Sequence, residues 1–198
     1  MPFLDTISNQ IDAALKAGSL NNDKMQPVKF YGLTTTIARK KEAAGAIEIL
    51  PAVISSDGAT ALISPDSKFA LQIYHKLFSN QYSYVKKSHG DAYEMKCSSE
   101  LAMVVFVNTK LTGKTKTVLE PVLVFSIPQK LSPAVLADLK INTCLITPLS
   151  SNMDTMQVFK QEYPQADYFL NQQMDMFLIR YRVEITFNQA CVDNCLCN

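Results

Sequence analysis

What this 198-residue sequence lacks narrows its identity first. Six glycines and nine prolines make 15 together, below average usage, so its loops are not flexible low-complexity linkers. The net charge is only +1, which leaves no whole-molecule field to draw it to nucleic acid or an acidic membrane. No apolar run approaches the roughly 18 residues that span a bilayer. The opening "MPFLDTISNQIDAALK" has neither the basic start nor the continuous apolar stretch of a signal peptide. There is no N-x-[ST] sequon, no CxxC pair, no G-x-S-x-G elbow and no carboxylate pair suited to acid–base work. Five cysteines are an odd number, and without an export signal they are expected as free thiols in a reducing compartment. A cytosolic origin and no membrane partner follow as expectations.

What is present is material for a core. The chain is 47% apolar and 19% charged, ordinary for a globular protein, and at this length it should bury roughly 70% of its extended surface. Leu4, Ile7, Ile11 and Leu15 recur at spacings of three and four and predict an amphipathic helix that ends at Gly18. Such a helix can pack on its own domain or on a neighbouring subunit. The expected division is a helical arm over 1–18, a core domain over 19–188 and a cysteine-bearing tail over 189–198.

From 28 to 63 the β-branched and aromatic content predicts three short strands, "VKFYGLTTTIARK", "AIEILPAVIS" and "TALIS", with Pro51 favouring an edge or a bulge. Alternation predicts a strand over about 70–77, with His75 half-buried in it, and a separate short one in "YSYVKK". A buried strand is expected over 101–107. Thr117 and Glu120 stand at capping-box spacing before "PVLVFSI", which suits a helix although the run also suits a strand. Ser132 followed by Pro133 predicts a helix start. "TCLITPL" predicts a strand, and Asp154 opens a helix with Met156, Phe159 and Tyr163 on one face. The clearest strand is the last. Phe177, Ile179, Tyr181, Val183, Ile185 and Phe187 share one face, and Leu178, Arg180, Arg182, Glu184, Thr186 and Asn188 share the other. The predicted class is α+β: a mainly antiparallel sheet with an N-terminal helix and two or three helices packed on one face.

Chemistry-bearing motifs are few. "LTGKTK" contains Gly-Lys-Thr, but a phosphate-binding loop needs glycine at 108, and that residue is Asn108. Cys191, Cys195 and Cys197 form C-x3-C-x-C, three of the four donors of a structural zinc site, with His75, His89, Asp193 or another subunit's cysteine open as the fourth. The plainer expectation is a docked tail with no cofactor or metal. His89, Cys97 and Tyr93 lie close in sequence and mark where a pocket would be sought, although no third group orients a Cys–His pair. The basic clusters 38–41 and 85–87 are expected to be solvated strand ends.

The order of elements, together with "IYHKLFS", "AMVVFVN" and "FLIRYRVEITFNQACVDNC", resembles the head–tail connector, or tail-completion, proteins of tailed bacteriophages, including virion proteins of crAss-like phages. The resemblance covers most of the chain and carries no catalytic residues. It implies a tail-terminator-like fold and a non-enzymatic virion subunit, made in the host bacterial cytoplasm. That subunit would form a closed homo-oligomeric ring at the head–tail junction, between the portal and adjacent neck or tail rings. DNA would pass through the lumen without specific binding. In that setting the expected contact residues are Phe177, Ile179, Tyr181, Val183, Ile185 and Phe187, together with Leu4, Ile7 and Ile11, with the tail docked on a neighbour by strand addition. Two other expectations stand beside it: a small cytosolic enzyme or ligand-binding domain with a pocket near His89 and Cys97, and a zinc-stabilised binding module.

Overall fold

The computed structural model describes residues 2–21, 25–34, 36–41, 47–54, 59–86, 93–149, 155–164 and 173–187. In chain order the elements are α1 (Pro2–Ala17), β1 (Val28–Leu33), β2 (Thr36–Lys41), β3 (Ile47–Ile54), β4 (Thr60–Leu62), β5 (Leu71–Lys86) and β6 (Tyr93–Asn108). After them come α2 (Thr109–Thr112), α3 (Lys116–Ser126), α4 (Pro133–Asp138), β7 (Ile141–Leu149), α5 (Thr155–Glu162) and β8 (Met174–Phe187). The main sheet has the order β1-β5-β6-β8-β7, and β2-β3-β4 form a second, smaller sheet. The class is α+β, as the sequence predicts. The main sheet is mixed, however, because β1 runs parallel to β5 while the other pairs are antiparallel.

Helices lie on both faces of this sheet. On the first face α1 and α3 supply Leu4, Ile7, Ile11, Leu15, Leu119 and Leu123 to a core with alternate residues of β5, β6 and β8. On the second face α5 and the small sheet bring Val158, Phe159, Leu50 and Ile63 against Tyr74, Ala102, Val104, Phe106, Met176 and Leu178. This double cover corrects the one-faced arrangement expected above. It also explains why 101–107 is apolar without alternation: a central strand covered on both sides has no polar face.

The apolar residues of β8 and α1 belong to the chain's own interior. Leu4, Ile7, Ile11, Phe177, Ile179, Tyr181, Val183 and Ile185 are all buried in the first core, and Phe187 packs edge-on against Phe3 at 5.8 Å between ring centroids. Their assignment as contacts between subunits is therefore corrected. From Phe177 to Ile185 the strand's apolar face is covered within this chain, with α1 and α3 packed in the same core, and Phe187 is partly buried.

Local departures from expectation have local causes. The stretch expected as one strand divides into β1 and β2, which sit in different sheets. Gly32 adopts φ +75°, a left-handed conformation costly for any residue with a Cβ. Beyond it Thr34 ties off β1 by donating its N–H and hydroxyl to the His75 carbonyl. Pro51 lies in the central strand of the small sheet rather than at an edge. Its carbonyl accepts from Ile63 N–H at 2.9 Å. A strand residue's N and C=O point the same way, so the missing donor lies just past the end of β4 and the ladder to β2 is intact. The two strands expected over 70–86 are one, β5, with a bulge between Leu77 and Ser79 that reverses the inward and outward positions.

The N-cap of α3 is Thr115, two residues before the expected Thr117. The helix's first amide, on Lys116, is bonded by the Asp175 carboxylate of β8 at 2.9 Å, a tertiary cap in place of the capping box. Phe159 of α5 and Tyr163 just past its end are buried as expected, while Met156 is exposed and Val158 is buried in its place. The start of α4 is as expected, with the Ser132 hydroxyl accepting from Val135 N–H.

Candidate functional site

Three polar clusters are built into the two cores. On the first face His75, fully buried rather than half-buried, accepts a bond from or donates one to two partners. Nε2 lies 2.9 Å from Asp12 Oδ1 on α1, and Nδ1 lies 2.8 Å from the Tyr181 hydroxyl on β8. Ser8, one turn before Asp12 on α1, donates to the Leu4 carbonyl. Burial holds the Tyr181 hydroxyl well above its ordinary pKa, so it is a neutral phenol. Nε2 is thus paired with Asp12 and Nδ1 with Tyr181, so both ring nitrogens are satisfied. The cluster is closed to solvent and couples α1 to the sheet.

On the second face Glu162 of α5 accepts from the Tyr74 hydroxyl at 2.9 Å and from Lys76 Nζ at 2.8 Å. Burial, with the nearby Tyr163 and Glu162, raises the Tyr74 pKa well above its usual value. Gln72 on the same face has its amide saturated by Tyr31, the Ser64 carbonyl and the Asp66 amide. The third cluster lies in the hairpin. Asn80 Oδ1 accepts from the Cys97 thiol at 2.9 Å and from the Ser99 hydroxyl at 2.8 Å. Cys97 is thus a buried, hydrogen-bonded strand residue. His89 and the tail cysteines Cys191, Cys195 and Cys197 lie outside the described residues, as does the Tyr93 side chain. Among the described residues no group of three His, Cys, Asp or Glu side chains is placed to hold a metal ion, and no helix is long and apolar enough to cross a membrane.

The Gly-Lys-Thr stretch has a structural role. Asn108, standing where a phosphate loop needs glycine, caps α2 by accepting from the amides of Lys110 and Leu111 at 3.1 and 3.2 Å. Gly113, at φ +62°, closes the helix with its N–H on the Thr109 carbonyl. Amides that would cradle a phosphate are already engaged.

Buried acids with raised pKa values make a stability prediction. Burial pushes the Cys144 thiol from 9 up to about 12 and raises both Tyr74 and Tyr181. Each group keeps its proton longer when folded, so its contribution is complete below the unfolded-state value and is lost as pH rises toward the folded one. Urea unfolding free energies should therefore decline steeply from about pH 9 upward. The variant Cys144→Ala should show a shallower decline between pH 9 and 12. An unchanged slope would count against a buried protonated thiol.

Among the described residues two apolar faces are exposed. α3 turns Leu119 and Leu123 inward, yet Val118, Val122 and Phe125 point outward and are 49%, 40% and 89% exposed. These three stand at i, i+4 and i+7, one continuous ridge, with the exposed Pro121 beside it. A helix apolar on every side is normally a buried helix. The other face belongs to the outer part of the β5–β6 ribbon. β1 covers β5 only as far as His75. Leu77 and, past the bulge, Asn80, Tyr82 and Tyr84 share the side of the sheet that carries α1, as the Asn80 bonds to Cys97 and Ser99 require. Tyr82 and Tyr84 are 50% and 68% exposed. The opposite side of the ribbon is charged: Lys76 and Arg180 flank the Phe78 ring at 5.5 and 5.4 Å, and Arg180 pairs with Glu100.

Sequence reasoning missed both faces. The signal for α3 was available in "TVLEPVLVFSI", which holds one charged residue in eleven. The class these features define is an α+β protein with a two-faced mixed sheet, closed interior polar clusters and two exposed apolar faces. No family model matches the chain, and no curated protein matches it.

Proposed function

We propose that this chain is a structural, non-enzymatic subunit of a closed ring, and that the ring is the head–tail connector of a tailed bacteriophage virion, between the portal and the adjacent neck or tail rings. The observation that carries the reading is α3, an eleven-residue helix with apolar residues on its outer as well as its inner side and Phe125 89% exposed. Leaving that ridge in water costs free energy that association recovers, and exposed apolar patches of this kind mark protein contacts. The interior clusters support the same reading: His75, Glu162 and Cys97 each spend their hydrogen-bonding capacity on holding elements together. The virion setting rests on the resemblance in element order and in the phrases quoted above.

The test is the native mass of the purified full chain across a range of concentrations. A closed oligomer of defined size is expected, and it should appear as a ring by electron microscopy. A particle of 22.1 kDa at every concentration would overturn the ring. Copurification with a portal ring protein would place such an oligomer at the neck, and its absence from purified virions would remove that setting.

A further inference from the structure

We propose that the Asp175 carboxylate is a shared pin between α3 and α5. The first turns of these two helices, on opposite faces of the main sheet, loosen and tighten together through it. The pin is independent of the ring reading and follows from where three segments meet. β7 pairs with β8 only from Phe187 back to Arg180. From Met174 to Ile179 that side of β8 has no paired strand among the described residues. α3 comes to this gap on the first face and α5 on the second. Asp175 stands in it.

The carboxylate divides its oxygens between the two helices. Oδ2 accepts from the Lys116 N–H, the first amide of α3, at 2.9 Å. Oδ1 accepts from the hydroxyl of Thr155, the first residue of α5, and from the adjacent Met176 N–H at 2.9 Å. Neither helix has an acidic residue in its own first turn, and Thr115, the N-cap of α3, makes no side-chain capping bond. One negative charge, 59 residues from one helix start and 20 from the other, therefore serves the positive ends of both.

The pin is itself fixed. Just before it the Gln173 carbonyl accepts from the Thr109 N–H and hydroxyl at 2.8 and 2.9 Å, tying the start of β8 to the start of α2. Asp175 is also in register with Val107 of β6. A carboxylate held by three donors keeps one orientation. Without the Thr155 hydroxyl it can turn toward the open side of the strand. The bond to Lys116 must then bear the entropy of ordering it alone. The same holds in reverse, so a load on α3, whose outer side carries Val118, Val122 and Phe125, is felt at α5 across the sheet.

The experiment is amide hydrogen exchange on the full chain, read residue by residue, with the β6 amides as the measure of global opening. Thr155→Val removes the α5 side of the pin. Exchange at Leu119, in α3, should quicken by about three- to tenfold while β6 is unchanged. In an Asp175→Ala background the same substitution should do nothing further at Leu119. The reciprocal arm compares Lys116→Pro with Lys116→Ala. Proline deletes the α3 donor at a position where it suits the first helical turn, and exchange at Phe159, in α5, should quicken. This arm keeps the test decisive if Asp175→Ala melts early. Coupling between sites is reciprocal, so indifference at either Leu119 or Phe159 overturns the pin. An effect of Thr155→Val on Leu119 that persists without Asp175, or one shared equally by β6, overturns it too.

Discussion

Shortening Phe177 to alanine should cost the isolated chain about 3–5 kcal/mol in urea unfolding. Phe177 sits on β8 opposite Val105 in a strand flanked by β6 and β7, and it is fully buried in the first core. Removing the ring forfeits its transfer free energy and leaves a cavity that two paired strands cannot easily close. Total stabilities run about 5–15 kcal/mol, so Phe177→Leu serves as the graded companion and should lose much less. If Phe177 were instead a contact between subunits, alanine would weaken association and leave the monomer's stability nearly unchanged. A loss below about 1 kcal/mol would thus reinstate β8 as an outer surface.

The second large effect is expected at His75. Replacing it by alanine strands the buried Asp12 carboxylate and deprives the Tyr181 hydroxyl of its partner. Breaking a buried pair from one side typically costs about 3–5 kcal/mol. Asp12→Ala should cost a similar amount from the other side. The double variant should cost little more than either single one, because the unpaired group is then gone, and the coupling should be on the order of 1–3 kcal/mol. Hydrogen exchange adds a positional readout: amides of α1 should lose protection before those of β6, since the cluster is what couples α1 to the sheet. Additive losses, or uniform loss of protection, would show that His75 does not hold α1.

The long alternating run of β8 and the three-and-four spacing of α1 were legible from residues alone, because α1 and most of β8 have one covered side and a period that registers it. Ser132–Pro133 was legible for the same kind of reason, since capping is decided within one turn. The bulge in β5 was not. "LFSNQY" contains nothing that distinguishes a strand end from a strand that shifts register, and the partner residues that fix the register lie in β6. Nor was the start of α3 legible, because its first amide is satisfied by Asp175, 59 residues further along the chain.

The exposed ridge of α3 shows the limit from the other side. Its composition is visible in the sequence, yet a largely apolar helix is usually an interior one, and only the arrangement of neighbours reveals that Phe125 is 89% exposed. The interface expected from β8 and α1 failed for the same reason. An apolar stripe states that a side must be covered; it does not state by what. By itself the sequence determined the class of fold, the period of its strongest elements and the absence of complete catalytic motifs, since those depend on residues within a turn or a strand of one another. The tertiary structure alone decided which apolar surfaces meet within the chain and which stay exposed, because burial is a property of contacts between segments far apart in sequence.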